Sequence, residues 1–465
     1  MTMAILLISV LLFCGGCASQ DDTVDSEGHR WHHIDTGSNG KIAVSDSAQA
    51  EIPELTEAAD ISDYLAYAAL NNPGLEAAFN RWKAAMEKIP QVTALPDPRF
   101  NYRYFVEQVE TRVGAQKQAF GISQMFPWFG KLALRGDAAS DAAAAAMQLY
   151  EAAKLKLFFQ VKDAYYEYYY LWRAIGIVRE NIRLMRDFER IARARYRAAV
   201  AAHPAVIRAQ VELGKLEDRL KSLQDLQDPI RARLNAALNR DPEAPVPWPK
   251  QIAEEGIAAT DRQILAWMDE SNPRLKALGH HIARTAAQID LAKKDYYPDV
   301  TFGLDFIDTS DRTGSNPPAD SGQDAVIAMF SMNLPVWREK LSAGVRQARH
   351  EHLAAVRDRT EKANDLDSQM KLALYRFRDA QRKIDLFRDT LLPKAVESVK
   401  ASEASFRAGD GGFLDLVDAQ RVMLEFELAY EDALSQSARK LAEIEMLAGR
   451  QMPRAESGQS SGGGE

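Results

Sequence analysis

The sequence predicts a mainly helical α+β protein built from a duplicated helix-hairpin-helix unit of about 200 residues. Three observations carry this expectation. The chain contains a colinear internal repeat, each copy holds two short segments with period-two hydrophobicity, and each has a proline-poor stretch far longer than an ordinary helix.

The repeat is explicit in the residues. Asn72-Pro73-Gly74-Leu75-Glu76-Ala77 returns as Asn272-Pro273-Arg274-Leu275-Lys276-Ala277, and Pro98 returns as Pro298, both at an offset of 200. Pro127 returns as Pro335, eight residues later than that offset, which implies a longer loop in the second copy. Tyr196-Arg197-Ala198 returns as Phe406-Arg407-Ala408 and Ala209-Gln210 as Ala419-Gln420, at an offset of 210. Colinear matches with a slowly growing offset mean one duplicated unit.

Each copy opens with an Asn-Pro pair, a good helix start because Asn caps and Pro at the first helical position loses no needed donor. A helix of roughly 20 residues should follow. Next comes a strand, in which Val300, Phe302, Leu304 and Phe306 alternate with Thr301, Gly303 and Asp305, and Phe100, Tyr102 and Tyr104 alternate with Asn101 and Arg103. The returning strands set Phe120, Ile122 and Phe126 against Gly121, Ser123 and Met125, and Ala328, Phe330 and Met332 against Ser331 and Asn333. Their connections are expected over Glu107 to Gln118 and Ile307 to Gln323. After Pro127 a stretch without proline runs from Lys131 to about Val200, roughly 100 Å if helical. From Leu341 the second copy runs similarly, interrupted by Pro393, and each copy closes with a return helix, Pro204 to Asn239 and Phe413 to Leu447. Helices of this length imply coiled-coil packing.

The chain therefore divides into a signal peptide at 1–16, a linker at 17–56, a first repeat at 57–250 with its hairpin at 98–126, a second repeat at 251–450 with its hairpin at 298–334, and a tail at 451–465 expected to be disordered. Apolar residues make up 46% and charged residues 27%, an ordinary foldable composition, and the net charge of -8 excludes a nucleic-acid backbone as an expected partner. Both cysteines lie within the first 17 residues, so the body can hold no disulfide and no thiolate metal site.

The apolar segment Met3 to Phe13 is too short to span a bilayer and reads as a secretion signal. Leu12-Phe13-Cys14-Gly15-Gly16-Cys17 resembles a lipobox, in which small residues precede a cysteine that is acylated and becomes the mature N-terminus. It departs from the usual pattern in having Cys14 and in lacking a basic residue before the apolar run. Ala18 follows, without the aspartate that resembles an inner-membrane retention signal, so Cys17 is expected to anchor the protein in the outer membrane. Two or three acyl chains hold firmly where one would not.

Five motifs in order carry a family resemblance: Leu95-Pro96-Asp97-Pro98, Pro127-Trp128-Phe129-Gly130-Lys131-Leu132, Tyr297-Pro298-Asp299-Val300, Leu334-Pro335-Val336-Trp337, and Gly412 through Gln420 with Asp415 and Asp418 inside it. Across nearly the whole mature chain the pattern resembles the TolC family of outer-membrane efflux ducts, and within it the lipid-anchored ducts that serve RND-type pumps. The resemblance implies a homotrimer, a twelve-stranded β-barrel on a long α-helical barrel in the periplasm, a periplasmic adaptor, and an inner-membrane pump that supplies the energy. Physics points the same way, because four strands cannot close a barrel and an open edge in lipid leaves backbone groups unpaired.

The resemblance also implies site residues. Asp415 and Asp418, three apart at a helix start, would ring a periplasmic gate; dipole-favoured helix-start aspartates are the plainer reading. The first copy has Ala205 and Arg208 at the matching positions. Gly409, Gly411 and Gly412 would form the tip that meets the adaptor, and they also simply end a helix. Their first-copy counterparts run from Ala199 to Ala202 before His203-Pro204. The histidines His29, His32, His33, His280 and His281 lack the spacing of a metal site, and the tyrosines from Tyr165 to Tyr170 read as packing. No phosphate loop or catalytic triad signature is present, so neither enzyme chemistry nor a cofactor is expected. A periplasmic coiled-coil scaffold or adaptor is the alternative, and it would have no use for two aromatic hairpins. A hydrolase would need a convergent acid-base set that does not recur outside helix starts.

Overall fold

The structure is a computed structural model that describes residues 55–56, 58–198, 203–249, 251–408 and 410–455. The expected signal peptide, Cys17, His29, His32, His33 and Gly409 lie outside the described residues, as do most of the linker and residues 456–465 of the tail.

The first copy begins with α1 (Ile61–Asn71) and α2 (Pro73–Met86), followed by the short α3 (Lys88–Thr93), the hairpin β1 (Arg99–Thr111) and β2 (Gly114–Phe126), and α4 (Lys131–Arg197), 67 residues long. It closes with α5 (His203–Asp225) and α6 (Gln227–Ala237). The second copy repeats the order: β3 (Gly256–Ile257), α7 (Asp261–Ser271), α8 (Pro273–Lys294), β4 (Val300–Thr309), β5 (Ala325–Met332), α9 (Arg338–Leu386), a π-helical turn at Phe387–Leu391, α10 (Leu392–Ala408) and α11 (Phe413–Ala448). A last strand β6 (Arg454–Ala455) pairs antiparallel with β3.

Prolines explain where the two copies differ. The helix after the first Asn-Pro pair stops at Met86, four residues before Pro90, and the first return helix stops at Asp225, four residues before Pro229. A proline ring collides with the carbonyl of residue i−4 and cannot donate to it, so each helix breaks there. The second copy has no proline beyond the first residue of α8 and none in α11, and both run unbroken. Pro393 is accommodated differently: the chain widens into the π turn, where Leu392 donates its N–H to the Phe387 carbonyl.

Both Asn-Pro pairs do the same work. The Asn72 side chain accepts from the Leu75 N–H and donates to the Ala237 carbonyl at the end of the first return helix. Asn272 accepts from Arg274 and Leu275 and donates to Leu447 at the end of the second. Each amide ties the start of its copy to that copy's end, across 165 or 175 residues. Two equivalent cores follow, one around Tyr64, Ala68, Leu75, Val161 and Leu234, the other around Ile264, Met268, Leu275, Met370 and Ile444. A third core joins the copies along α4, α5, α10 and α11.

Two expected boundaries move. The β1–β2 connection is only Arg112-Val113, because pairing continues through a bulge to Val109, Glu110 and Thr111 and Gly114 adopts φ 139°. The tail is ordered through Ala455: Met452 is buried, and the Arg454 guanidinium reaches Glu255 at 2.9 Å and Glu445 at 2.8 Å.

Candidate functional site

The two hairpins form one antiparallel sheet in the order β1-β2-β4-β5, so the central contact joins the copies and, among the described residues, neither outer edge has a strand partner. Register places Phe100, Ile122, Leu304 and Ala328 in one row and Tyr102, Phe120, Phe306 and Val326 in the next, all on one face. Most of these large apolar side chains are exposed in the single chain. The opposite face is the more polar one, carrying Arg99, Asn101, Arg103, Ser123, Thr301, Asp305 and Ser331 beside Met125, Ile327 and Met329. Soluble proteins do not leave a sheet face of this kind open, whereas a lipid-facing barrel wall has one apolar and one polar side.

Arg103 and Asp305 meet on the polar face at 2.8 Å although β2 lies between their strands. Asp305 reaches Arg103, whose own β2 partner is Ala119, by leaning over its partner Gly121, where a Cβ would stand 2.0 Å from an Asp305 carboxylate oxygen. Beyond the strands, the long connection after β4 is fastened to the first hairpin: Ser310 N–H donates to Ala115, Gly322 N–H to Val113, and Arg112 pairs with Asp320.

At the opposite end of the sheet two of the sequence motifs meet. Lys131, whose side chain is 4% exposed, donates to Asp299 at 2.9 Å and lies 3.4 Å from Asp295. The same Asp299 oxygen accepts the Trp128 N–H at 2.8 Å, and Trp128 stacks on Tyr297. Gly130, at φ 84°, turns the chain from this corner into α4. The Pro-Trp-Phe-Gly-Lys and Tyr-Pro-Asp motifs are thus two halves of one joint between strands and helices.

At the far end of the helices, Gly411 and Gly412 connect α10 to α11. A Cβ at Gly411 would lie 2.6 Å from Ser405 Oγ and 3.2 Å from the Phe406 nitrogen, so Ser405 would have to shift to admit a side chain. Asp415 accepts from the Gly412 N–H at 3.3 Å and Asp418 pairs with Arg421 at 2.9 Å. Phe413, Leu416, Val417 and Gln420 form the buried stripe of α11, so the two carboxylates share the face turned away from the chain's own core. The fold thus brings the pair together and gives each a local partner.

A polar seam between α4 and α11 escapes sequence reasoning. Lys162 pairs with Glu445, Asp163 with Arg439, Arg173 and the Tyr169 hydroxyl with Glu431, and Asn181 with Glu427 and Gln420. Burial and the neighbouring Glu431 carboxylate push the Tyr169 hydroxyl up to about 12. Tyr165, Tyr168 and Tyr169 are buried as packing residues. His280 faces Asp141 at 3.3 Å, and among the described residues no group of three His, Cys, Asp or Glu side chains could hold a metal ion. Among those residues, too, no helix is long and apolar enough to cross a membrane.

Comparison with known proteins agrees with this geometry. The sequence profile of the family described as outer membrane efflux protein matches residues 65–240 and 268–450, one segment in each copy. The outer-membrane channel OprN shares the fold with a TM-score of 0.70 at 18% identity, over 84% of this chain and 89% of that one. CusC gives 0.71 at 15% identity, over 84% and 92%, and the outer membrane protein VceC of Vibrio cholerae 0.69 at 17%, over 84% and 96%. Among curated relatives, the cobalt-zinc-cadmium resistance protein CzcC of Cupriavidus metallidurans is 22% identical over 187 residues, 39% of this chain and 41% of that protein. Protein CyaE of Bordetella pertussis is 28% identical over 163 residues, 34% of each. These matches span less than half of either relative. The profile covers both copies of the duplicated unit, and the chain belongs to the outer membrane efflux protein family, with the mainly helical, hairpin-bearing fold of its outer-membrane channels.

Proposed function

We propose that three copies close into a passive outer-membrane duct through which cargo leaves a tripartite efflux system. One observation carries this reading: a four-stranded sheet with one apolar face, one more polar face and, among the described residues, two edges without a strand partner. In lipid those edges must be paired, and four strands are too few to close on themselves. Pairing β5 of one copy with β1 of the next gives twelve strands after three copies. The long helices α4, α5, α9–α10 and α11 continue the wall into the periplasm, again twelve in all.

Family members form trimers that work with an adaptor and an inner-membrane pump. For this chain, an RND-type pump and an adaptor meeting the tip at Gly409, Gly411 and Gly412 complete the proposal, with Cys17 acylated at the outer membrane. Three copies of Asp415 and Asp418 would place six carboxylates around a narrow mouth, where screening is weak and cations are favoured. The alternative of a periplasmic scaffold or adaptor leaves the apolar face of the sheet without a role.

Purified in detergent, the protein should have the mass of three copies and should open ion-conducting channels in a planar bilayer. A monomer extracted by salt alone and silent in the bilayer would overturn the duct. Replacing Asp415 and Asp418 with Ala should lower cation selectivity and block by multivalent cations; a double variant matching the parent would leave only the cap and the Arg421 pair as their roles.

A further inference from the structure

A pocket opens where the second Asn-Pro clamp closes, between α4, the start of α8, α9 and the end of α11. Its volume is about 180 Å³, and Leu155, Phe159, Leu366 and Met446 give it an apolar wall. An engineered apolar cavity of about 150 Å³ takes up benzene, so this one has room for a ring. Leu155 and Phe159, at positions i and i+4 of α4, share one helical face, and Lys156 lies on the stripe beside them. Leu366 is buried on α9, and Met446 precedes the Leu447 whose carbonyl accepts from Asn272.

Two cations stand at the rim. Lys156 and Arg274 line the pocket and are exposed. Neither forms an ion pair among the described residues, whereas the nearby Lys154 and Lys162 pair with Glu151 and Glu445. Asp365 feels the charge of Arg274 but takes its hydrogen bonds from Lys362 and Gln369.

The repeat shows that the clamp itself does not require Arg274. The matching stretch of the first copy reads Asn72-Pro73-Gly74, with glycine in place of the arginine, and Asn72 still holds the Ala237 carbonyl. The guanidinium is therefore surplus to the clamp. A ring-sized apolar pocket bordered by two unpaired cations suits a carboxylate on an apolar body, because arginine offers planar paired donors, lysine a point charge, and the walls bury the rest. A cationic solute would be repelled there, and a neutral one would leave both charges uncompensated.

We propose that this pocket binds a small aromatic carboxylate, its anionic group at Lys156 and Arg274 and its ring against Leu155, Phe159, Leu366 and Met446. Bound there, the ligand ties α4 to the start of α8 and the end of α11. These walls all belong to one copy, so the site does not depend on closure of the duct.

Equilibrium dialysis of the full-length protein in lipid nanodiscs against benzoate, with empty nanodiscs as the blank, tests this. One benzoate per copy should bind and should raise the thermal unfolding midpoint, since a ligand that binds only the folded chain stabilises it. Benzylamine, of similar size and opposite charge, and benzyl alcohol, which is neutral, should each bind about tenfold more weakly or worse. Combining Lys156→Ala with Arg274→Ala should weaken benzoate by a similar factor of about ten, while the ligand-free variant unfolds close to the parental midpoint because both positions are exposed. Absent benzoate binding, equal binding of benzylamine or benzyl alcohol, or full binding by the double variant would each overturn the pocket. A chain that binds benzoate but opens no channel in a planar bilayer would overturn the duct reading and leave the pocket standing.

Discussion

Arg103 and Asp305, 202 residues apart and on strands that do not touch, form a 2.8 Å ion pair across the gap that Gly121 leaves in β2. Arg103 is well solvated, so the pair should contribute less than about 1 kcal/mol to stability. Asp305→Asn should therefore unfold at nearly the parental denaturant concentration. In a bilayer it should shift the reversal potential toward anions, because Arg103 loses its counter-charge. Gly121→Val should do the opposite, costing about 1–3 kcal/mol because the new side chain must displace Asp305.

The Lys131–Asp299 joint is a different kind of pair, with the lysine almost fully enclosed. Lys131→Met would leave Asp299 holding only the Trp128 N–H as a charge-stabilising donor. A loss of about 2–3 kcal/mol is expected. Equilibrium unfolding in guanidinium measures it, and a change below about 0.5 kcal/mol would mean that the corner relaxes around the missing charge.

The duplicated asparagines allow an internal comparison. Asn272 accepts from two backbone donors and is buried, whereas Asn72 accepts from one and is half-buried. Asn272→Ala should cost about 2–3 kcal/mol and Asn72→Ala about 1 kcal/mol, the cap adding to the lost inter-helix bond in each. Thermal unfolding of the two single variants decides the order.

Acid should loosen the α4–α11 seam through Asp163. Burial opposes its charge, but the hydrogen bonds and charges of Arg439 and Arg233 outweigh burial and hold its carboxyl below the ordinary range. A depressed folded value contributes stability above the unfolded value of about 3.9, lost as pH falls through the lower folded one. Asp163→Asn should therefore flatten the loss of stability below about pH 4. Glu427 has the opposite sign: burial raises its value despite the Asn181 hydrogen bond, so its ionised form is a liability at neutral pH. Glu427→Gln should stabilise the protein at pH 7, and the gain should vanish below about pH 4, where the glutamate is already protonated.

Local periodicity made the duplication, the two-faced strands and the long helices legible in the chain, because a period of two or of 3.6 is written by near neighbours. The breaks at Pro90 and Pro229 could also have been placed from the rule that a proline ends a helix four residues earlier. The Asn-Pro pairs were readable as caps, but not as clamps on Ala237 and Leu447. Only the tertiary structure decided that Arg103 and Asp305, readable as sharing the polar face, would pair with each other across β2, that Trp128 and Lys131 would close on Asp299, and that Asp163 would lie between two arginines. These contacts join residues 168 to 276 positions apart or bridge separate helices. No local pattern encodes them, since a polar residue on a helix looks the same in sequence whether its partner is water or a carboxylate from the other copy. Asp415 and Asp418 show the same division. Spacing put both on one helical face, while packing of Phe413, Leu416 and Val417 turned that face away from the chain's own core, where a neighbouring copy can approach it.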